Sequence, residues 1–134
     1  MNHLLVQWVA VVGAVGIAGM LIFQILLAAG LPLGAAAFGG KYEVLPVKLR
    51  LASAISAFIF AAAFYIILAR GGLLGGGSQS SSLVRVGIWV LVTMFGVSTL
   101  ANISSRSRWE RLAMAPIGLV LTACCVIVAL AGSS

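Results

Sequence analysis

Charged side chains are scarce in this chain. Only 7% of its 134 residues are Asp, Glu, Lys or Arg, whereas about 25% of the residues in a soluble globular domain are charged. The hydrophobic fraction is 63%. A water-exposed surface cannot be built from so few charges, so the composition excludes a soluble globular protein. It predicts a membrane protein in which residues 1–134 form one transmembrane domain.

Residues that usually carry catalysis or bind metals are also rare. The chain has one histidine, His3, and two cysteines, Cys124 and Cys125. Adjacent residues on a helix point about 100° apart, so the two thiols are poorly placed to share a metal and are interpreted as packing residues. No HExxH, GxSxG, CxxC or P-loop pattern occurs. We therefore expect no enzyme activity, no metal site and no cofactor.

Four continuous apolar runs are each long enough to cross a bilayer, which takes about 20 apolar residues. They cover residues 4–29, 47–69, 84–103 and 108–131. Because the runs are continuous and do not alternate with polar residues, they predict helices and argue against barrel strands. The predicted fold is an all-α integral membrane protein with four transmembrane helices in a compact bundle. A further hypothesis divides the bundle into two tandem helical hairpins.

The few charges are concentrated in two patches, "GGKYEVLPVKLR" at residues 39–50 and "SRSRWER" at residues 105–111. Each patch contains a basic-aromatic-acidic triplet. We interpret both as anchors at the membrane interface and as candidate binding sites for lipids or partner proteins. The candidate residues are Lys41, Tyr42, Glu43, Lys48, Arg50, Arg106, Arg108, Trp109, Glu110 and Arg111.

The distribution of basic residues predicts the orientation. Six of the eight Lys and Arg residues lie at the first and third connectors, two lie at the second, and the termini carry none. The positive-inside rule therefore places the first and third connectors in the cytoplasm and both termini outside. Aromatic residues agree, with Trp8, Tyr65 and Trp89 near the outer interface and Tyr42 and Trp109 near the inner one. The net charge of +6 is attributed to orientation and contact with anionic lipid, and nucleic-acid binding is not expected.

Local signals predict three features near the inner face. Ser107 and Glu110 have the spacing of a capping box, in which the serine hydroxyl and the glutamate carboxylate each bond to the other's backbone amide. Pro116 predicts a kink in the fourth helix, because it clashes with the carbonyl of Leu112. Residues 30–40 are apolar and Gly-rich, which fits either an interfacial segment or a shallow re-entrant loop.

The polar and small residues of the apolar runs allow more than one interpretation. Gln24 and Asn102 are amides that need partners when buried, so they are candidates for a structural bond or for substrate binding. Gly13, Gly16 and Gly19 form a small-residue face that favours close helix packing. That packing would serve the chain's own bundle or a homo-oligomer.

Three segments, "GLPLG", "LPVKLR" and "ANISSRSRWERLAMAP", together resemble a family of small, uncharacterised bacterial four-span membrane proteins. The resemblance covers most of the chain. It implies a four-helix fold in the bacterial inner membrane and carries over no activity.

Function is predicted from these features together. We expect a protein that acts by association with other membrane proteins or with anionic lipids. The alternative is an oligomeric channel or an uncoupled transporter for a small solute or ion. Proton-coupled transport is disfavoured, because the central part of every span lacks an ionisable residue.

Overall fold

Four long helices make up most of the computed structural model, which describes residues 2–131. α1 spans His3–Ala28, α2 spans Val47–Arg70 and α3 spans Ser82–Ile103. The last helix begins with a π-helical turn, Glu110–Met114, and continues as α4, Ala115–Ala131. Each of the four is long and apolar enough to cross a membrane, with mean hydropathies between 1.8 and 2.5. The predicted all-α, four-helix membrane fold is confirmed.

The helices pack side by side as two antiparallel hairpins. α1 packs most extensively against α2, and α3 packs against α4. Contacts between α1 and α4 and between α2 and α3 close the four helices into a ring. The first connector (residues 29–46) and the third (residues 104–109) therefore lie together at one end, called the connector end below. The second connector (residues 71–81) lies at the opposite end, near the start of α1.

Large apolar residues cover the outside of this bundle, and its interior combines small residues with larger apolar ones. Phe58 is 79% exposed and Leu83 is 74% exposed, whereas Ala10 is fully buried. Such a distribution suits a lipid solvent, which provides no hydrophobic force between helices and leaves close packing to hold them together. A main core of this kind fills the half of the bundle away from the connector end. It includes Ala14, Ile67, Ile88, Cys125 and Val128.

The small-residue face of α1 is divided between the interior and the outer surface. A Cβ atom added at Gly13 would collide with Cδ1 of Ile67 and lie 3.0 Å from Cβ of Cys124. A Cβ at Gly16 would lie 2.6 Å from Cδ2 of Leu121. Nothing lies within 4 Å of such an atom at Gly19. Gly13 and Gly16 thus serve packing within the bundle, and a homo-oligomer seam through Gly19 stays a prediction.

The first connector folds over the end of the bundle. It contains two 3₁₀ turns, Gly34–Ala36 and Phe38–Gly40. Ala37 is buried against Leu27 of α1 and Leu45, forming a small second core. The amide of Gly34 donates to the carbonyl of Glu43 at 2.8 Å. The backbone at Gly34 therefore lies so close to the later part of the connector that a side chain would not fit there. The connector therefore forms a compact cover over the helix ends.

The predicted distortion near Pro116 takes the form of a π-helical turn. Within Glu110–Met114 the helix widens, and the amide of Ala115 donates to the carbonyl of Glu110, five residues earlier. Proline lacks an amide hydrogen and crowds the carbonyl four residues before it. A wider turn directly before Pro116 relieves that crowding, and such turns are frequent at functional sites.

The packing of α1 generates the first prediction. Replacing Gly13 with Leu inserts a side chain against Ile67 and Cys124, so we expect the free energy of unfolding in detergent to fall by about 1–3 kcal/mol. Gly19→Leu is the matched control, because the same side chain there points into open space. Equal stability of the two variants would contradict the packing described for α1.

Candidate functional site

A cavity of about 300 Å³ lies between the four helices at the connector end. Its floor is the main core, because Phe95 and Leu121 belong both to that core and to the cavity wall. Residues 36–38 of the first connector close over it. A surface groove beside the cavity shares Phe38, Asn102 and Glu110 with it. The cavity therefore reaches the surface between the first connector and the end of α3.

Polar groups from all four helices line this cavity. α1 contributes Gln24, α2 contributes Ser56, α3 contributes Ser98 and Asn102, and the π-helical turn contributes Glu110. The amide oxygen of Gln24 is buried and has no hydrogen-bond partner among residues 2–131. The two predicted amides thus share one cavity. Within the described part of the chain no hydrogen bond joins Gln24 to Asn102, and the Gln24 oxygen keeps its accepting capacity.

Glu110 is the ionisable residue of the cavity. Its side chain is only 8% exposed, and its carboxylate accepts a hydrogen bond from Ser105 Oγ at 2.5 Å. Within the described residues, no Lys or Arg nitrogen lies within 4.0 Å of that carboxylate. A carboxylate can accept about four hydrogen bonds. Glu110 therefore retains acceptor capacity, and the helix start on which it sits offsets only part of its charge.

The predicted capping box is half formed. Ser107 Oγ accepts the amide of Glu110 at 3.4 Å, as expected. The Glu110 carboxylate does not return to the amide of Ser107, because that amide donates to Ser105 Oγ at 3.0 Å. Ser105 thus stands between the two partners of the expected box. As a result the Glu110 side chain turns toward the cavity, where the serine holds one of its oxygens.

The two charged patches meet at the connector end. The hydroxyl of Ser107 donates to the backbone carbonyl of Ala35, which joins the third connector to the first. The acidic residues of the two triplets nevertheless differ, because Glu43 is exposed while Glu110 is buried. Sequence similarity between the triplets therefore does not extend to the environment of their carboxylates.

The basic residues of the patches divide into two groups. Arg50 and Arg111 bind backbone carbonyls: Arg50 Nε donates to Ala28 at the end of α1 at 3.0 Å, and Arg111 donates to Ser105 at 3.1 Å. Both support the connectors. The other group comprises Lys41, Lys48, Arg106 and Arg108, which are exposed, as Arg111 is. These four side chains are available to external anions.

Two aromatic residues accompany the exposed cations. Trp109 is 62% exposed and Tyr42 is 38% exposed. Lys41 Nζ lies 5.6 Å from the centre of the Tyr42 ring, in the range of a cation–π contact.

The opposite end of the bundle has fewer exposed cations. Arg70 is buried and donates to the carbonyl of Gln79 at 2.6 Å, which leaves Arg85 as an exposed cation.

Several cavity residues carry no signal in the sequence. Three of the four methionines, Met20, Met94 and Met114, line the wall, yet each is ordinary in an apolar run. Ser56 and Ser98 are polar enough to line a pore in an oligomer, but a serine can also bond to its own helix and then needs no partner. Ser105, the partner of Glu110, has no signal of its own, because the capping spacing points to Ser107. Only the packing of the four helices brings these residues together.

No metal site is evident among residues 2–131, where no group of three His, Cys, Asp or Glu side chains lies close enough to hold an ion.

Comparisons with protein-family models, with curated proteins and with solved structures gave no match.

The link between Ser105 and Glu110 generates the second prediction. Ser105→Ala leaves a buried carboxylate without its hydrogen-bond donor, so we expect the free energy of unfolding to fall by about 1–3 kcal/mol. Ser104→Ala is the matched control, since Ser104 is exposed. Both would be measured by denaturant titration in the same detergent. A Ser105 variant as stable as the Ser104 variant would show that the bond contributes nothing to folding.

Proposed function

We propose that this protein resides in the bacterial cytoplasmic membrane and associates there with anionic lipids through the connector end. The proposed lipid-binding surface, called the basic collar below, is formed by Lys41, Tyr42, Lys48, Arg106, Arg108 and Trp109. The observation that carries the proposal is the exposure of its four cations at one end of the bundle, drawn from two connectors.

Physical arguments support an anionic headgroup as the ligand of the collar. Each cation near an anionic membrane surface contributes about 1 kcal/mol of attraction. Tyr42 and Trp109 are amphipathic rings of the kind that favour headgroup depth. The exposed Glu43 is the single acidic residue at this surface, so the collar keeps a net positive charge. A partner protein with an acidic face would meet the same four cations and is the alternative ligand of the collar.

The orientation of the protein follows from the same imbalance. The buried Arg70 donates to a backbone carbonyl of the second connector, so exposed basic charge is concentrated even more at the connector end than the sequence count implies. The positive-inside rule then supports a cytoplasmic connector end and external termini. In that orientation the collar faces the leaflet surface next to the cytoplasm.

The third prediction concerns lipid retention. Changing Lys41, Lys48, Arg106 and Arg108 together to Gln removes the collar's charge without touching the arginines that bind backbone carbonyls. We expect phosphatidylglycerol bound to the purified protein, counted by native mass spectrometry, to fall at least tenfold relative to phosphatidylcholine. High salt should weaken lipid binding to the wild-type protein in the same direction.

Arg85→Gln serves as the charge control for the collar variant. It removes an exposed cation from the opposite end of the bundle, so it should leave retention of the anionic lipid nearly unchanged. Equal retention by the wild-type protein and the collar variant would refute the lipid proposal. Preserved thermal stability of the collar variant confirms that any loss of lipid is not a loss of fold.

The fourth prediction concerns orientation. Alkaline phosphatase, which is active only outside the cytoplasm, should be active when it is fused to the C-terminus. Green fluorescent protein fused at the same position should not fluoresce, because it does not mature when it is exported unfolded. Fusions within the second connector should behave like the C-terminal ones. A fluorescent and phosphatase-inactive C-terminal pair would reverse the proposed topology.

A further inference from the structure

We propose that the cavity at the connector end binds a small amphiphile that carries an ammonium group on an apolar body. The ammonium would meet the Glu110 carboxylate and the amide oxygen of Gln24. The apolar body would occupy the space toward the floor. This site is separate from the basic collar, because it faces inward and attracts the opposite charge.

The polar chemistry of the cavity selects a hydrogen-bond donor. The carboxylate of Glu110 and the amide oxygen of Gln24 are both acceptors, and both retain unused capacity. Burying a charge or a polar group without a partner is costly. A ligand ammonium, with its positive charge and several N–H donors, supplies what both groups lack. An anionic or purely apolar ligand would leave them unsatisfied.

The apolar walls select a ligand with a hydrocarbon body. Phe60 and Phe95 stack with their ring centres 5.9 Å apart, and both line the cavity. Met20 and Met94 lie beside them on the wall, and methionine side chains adapt to irregular ligands. A cavity of roughly 150 Å³ holds one benzene molecule. The cavity here, at about 300 Å³, accommodates an aromatic ring with a short alkyl chain.

The electrostatic arrangement favours a cation despite the nearby basic residues. Arg106 lies in the adjoining groove and Arg111 donates to the carbonyl of Ser105, but both side chains are exposed, so solvent and salt screen their charges. Glu110 is buried, and charges interact more strongly in a medium of low dielectric constant. At the site itself, the attraction to Glu110 therefore outweighs the repulsion from the two arginines.

A matched series of probes tests this proposal. The ammonium form of 4-phenylbutylamine, the neutral 4-phenylbutanol and the anionic 4-phenylbutyrate share one apolar body and differ in charge. Binding would be measured by calorimetry on the full-length protein in dodecyl maltoside, with protein-free micelles as background. We expect saturable binding of the ammonium compound at least tenfold tighter than that of either analogue.

Variants locate the bound ammonium group. Glu110→Gln keeps the side-chain volume and an acceptor for Ser105 but removes the charge, so we expect it to weaken ammonium binding at least tenfold and to change alcohol binding little. Glu43→Gln is the matched control, since it removes the chain's other carboxylate, which is exposed. Ser56→Phe fills the cavity from α2 while keeping Glu110, and it should abolish binding.

Three outcomes would overturn the proposal. The first is the absence of saturable ammonium binding to the wild-type protein. The second is equal or tighter binding of the alcohol or the carboxylate. The third is an equal loss of binding in Glu43→Gln and Glu110→Gln. Should the Glu110 variant fail to fold, the comparison of the three compounds on the wild-type protein, together with Ser56→Phe, decides the question.

A competition experiment identifies the source of the ammonium group. Phosphatidylethanolamine carries an ammonium in its headgroup, whereas phosphatidylglycerol does not. Displacement of the probe by phosphatidylethanolamine alone supports a lipid headgroup in the cavity. Displacement by neither lipid, with the probe still bound, supports a free amine. Probe binding in the cavity is measured separately from anionic-lipid retention by the collar. Failure of the lipid proposal would therefore leave the ammonium proposal standing, and the reverse holds as well.

Discussion

Close packing of neighbouring side chains against the small residues of α1 is the constraint on which the rest of this structure depends. Lipid does not drive apolar helices together, so the bundle relies on surfaces that fit. Gly13 and Gly16 bring α1 against α2 and α4. One and two turns further along α1, the inward residues are Met20, Phe23 and Gln24. Their side chains line the cavity, which lies at that level.

The chain segments at this end of the bundle complete the cavity. The first connector folds over the opening, and Ala37 packs into a second small core. Pro116 requires a wider turn before it, and the π-helical turn turns Glu110 inward. Ser105 and Ser107 then satisfy the backbone and side-chain groups that this turn leaves near the helix start. A buried carboxylate is thus a consequence of how the fourth helix begins.

Sequence alone was sufficient for the helices but insufficient for the site. Apolar runs of spanning length predict the four helices to within two residues at each end, because hydropathy depends on composition and not on packing. Gln24 and Asn102 were identified because amides are costly in lipid. Their meeting in one cavity depends on helix rotation. The outer and inner faces of each helix are both apolar, so the sequence contains little information on rotation.

The charged patches illustrate the same limit at the level of single residues. Arg50 and Arg108 are equivalent in a count of charges, yet Arg50 binds the carbonyl of Ala28 while Arg108 is exposed. Likewise, Glu43 and Glu110 each follow a basic and an aromatic residue, yet Glu43 is exposed and Glu110 is buried. These differences arise from hydrogen bonds across connectors, such as that of Ser107 to Ala35, which join residues far apart in the chain.

The packing of the bundle also bears on whether a single chain can conduct a solute. Below the cavity, Ile67, Ile88, Cys125 and Val128 are fully buried and pack together in the main core. A molecule in the cavity of one chain would face this packed core on the side away from the connector end. Conduction would therefore need a path between several copies, along outer faces that are apolar in this structure. The cavity of the single bundle therefore opens at the connector end and is floored by the main core.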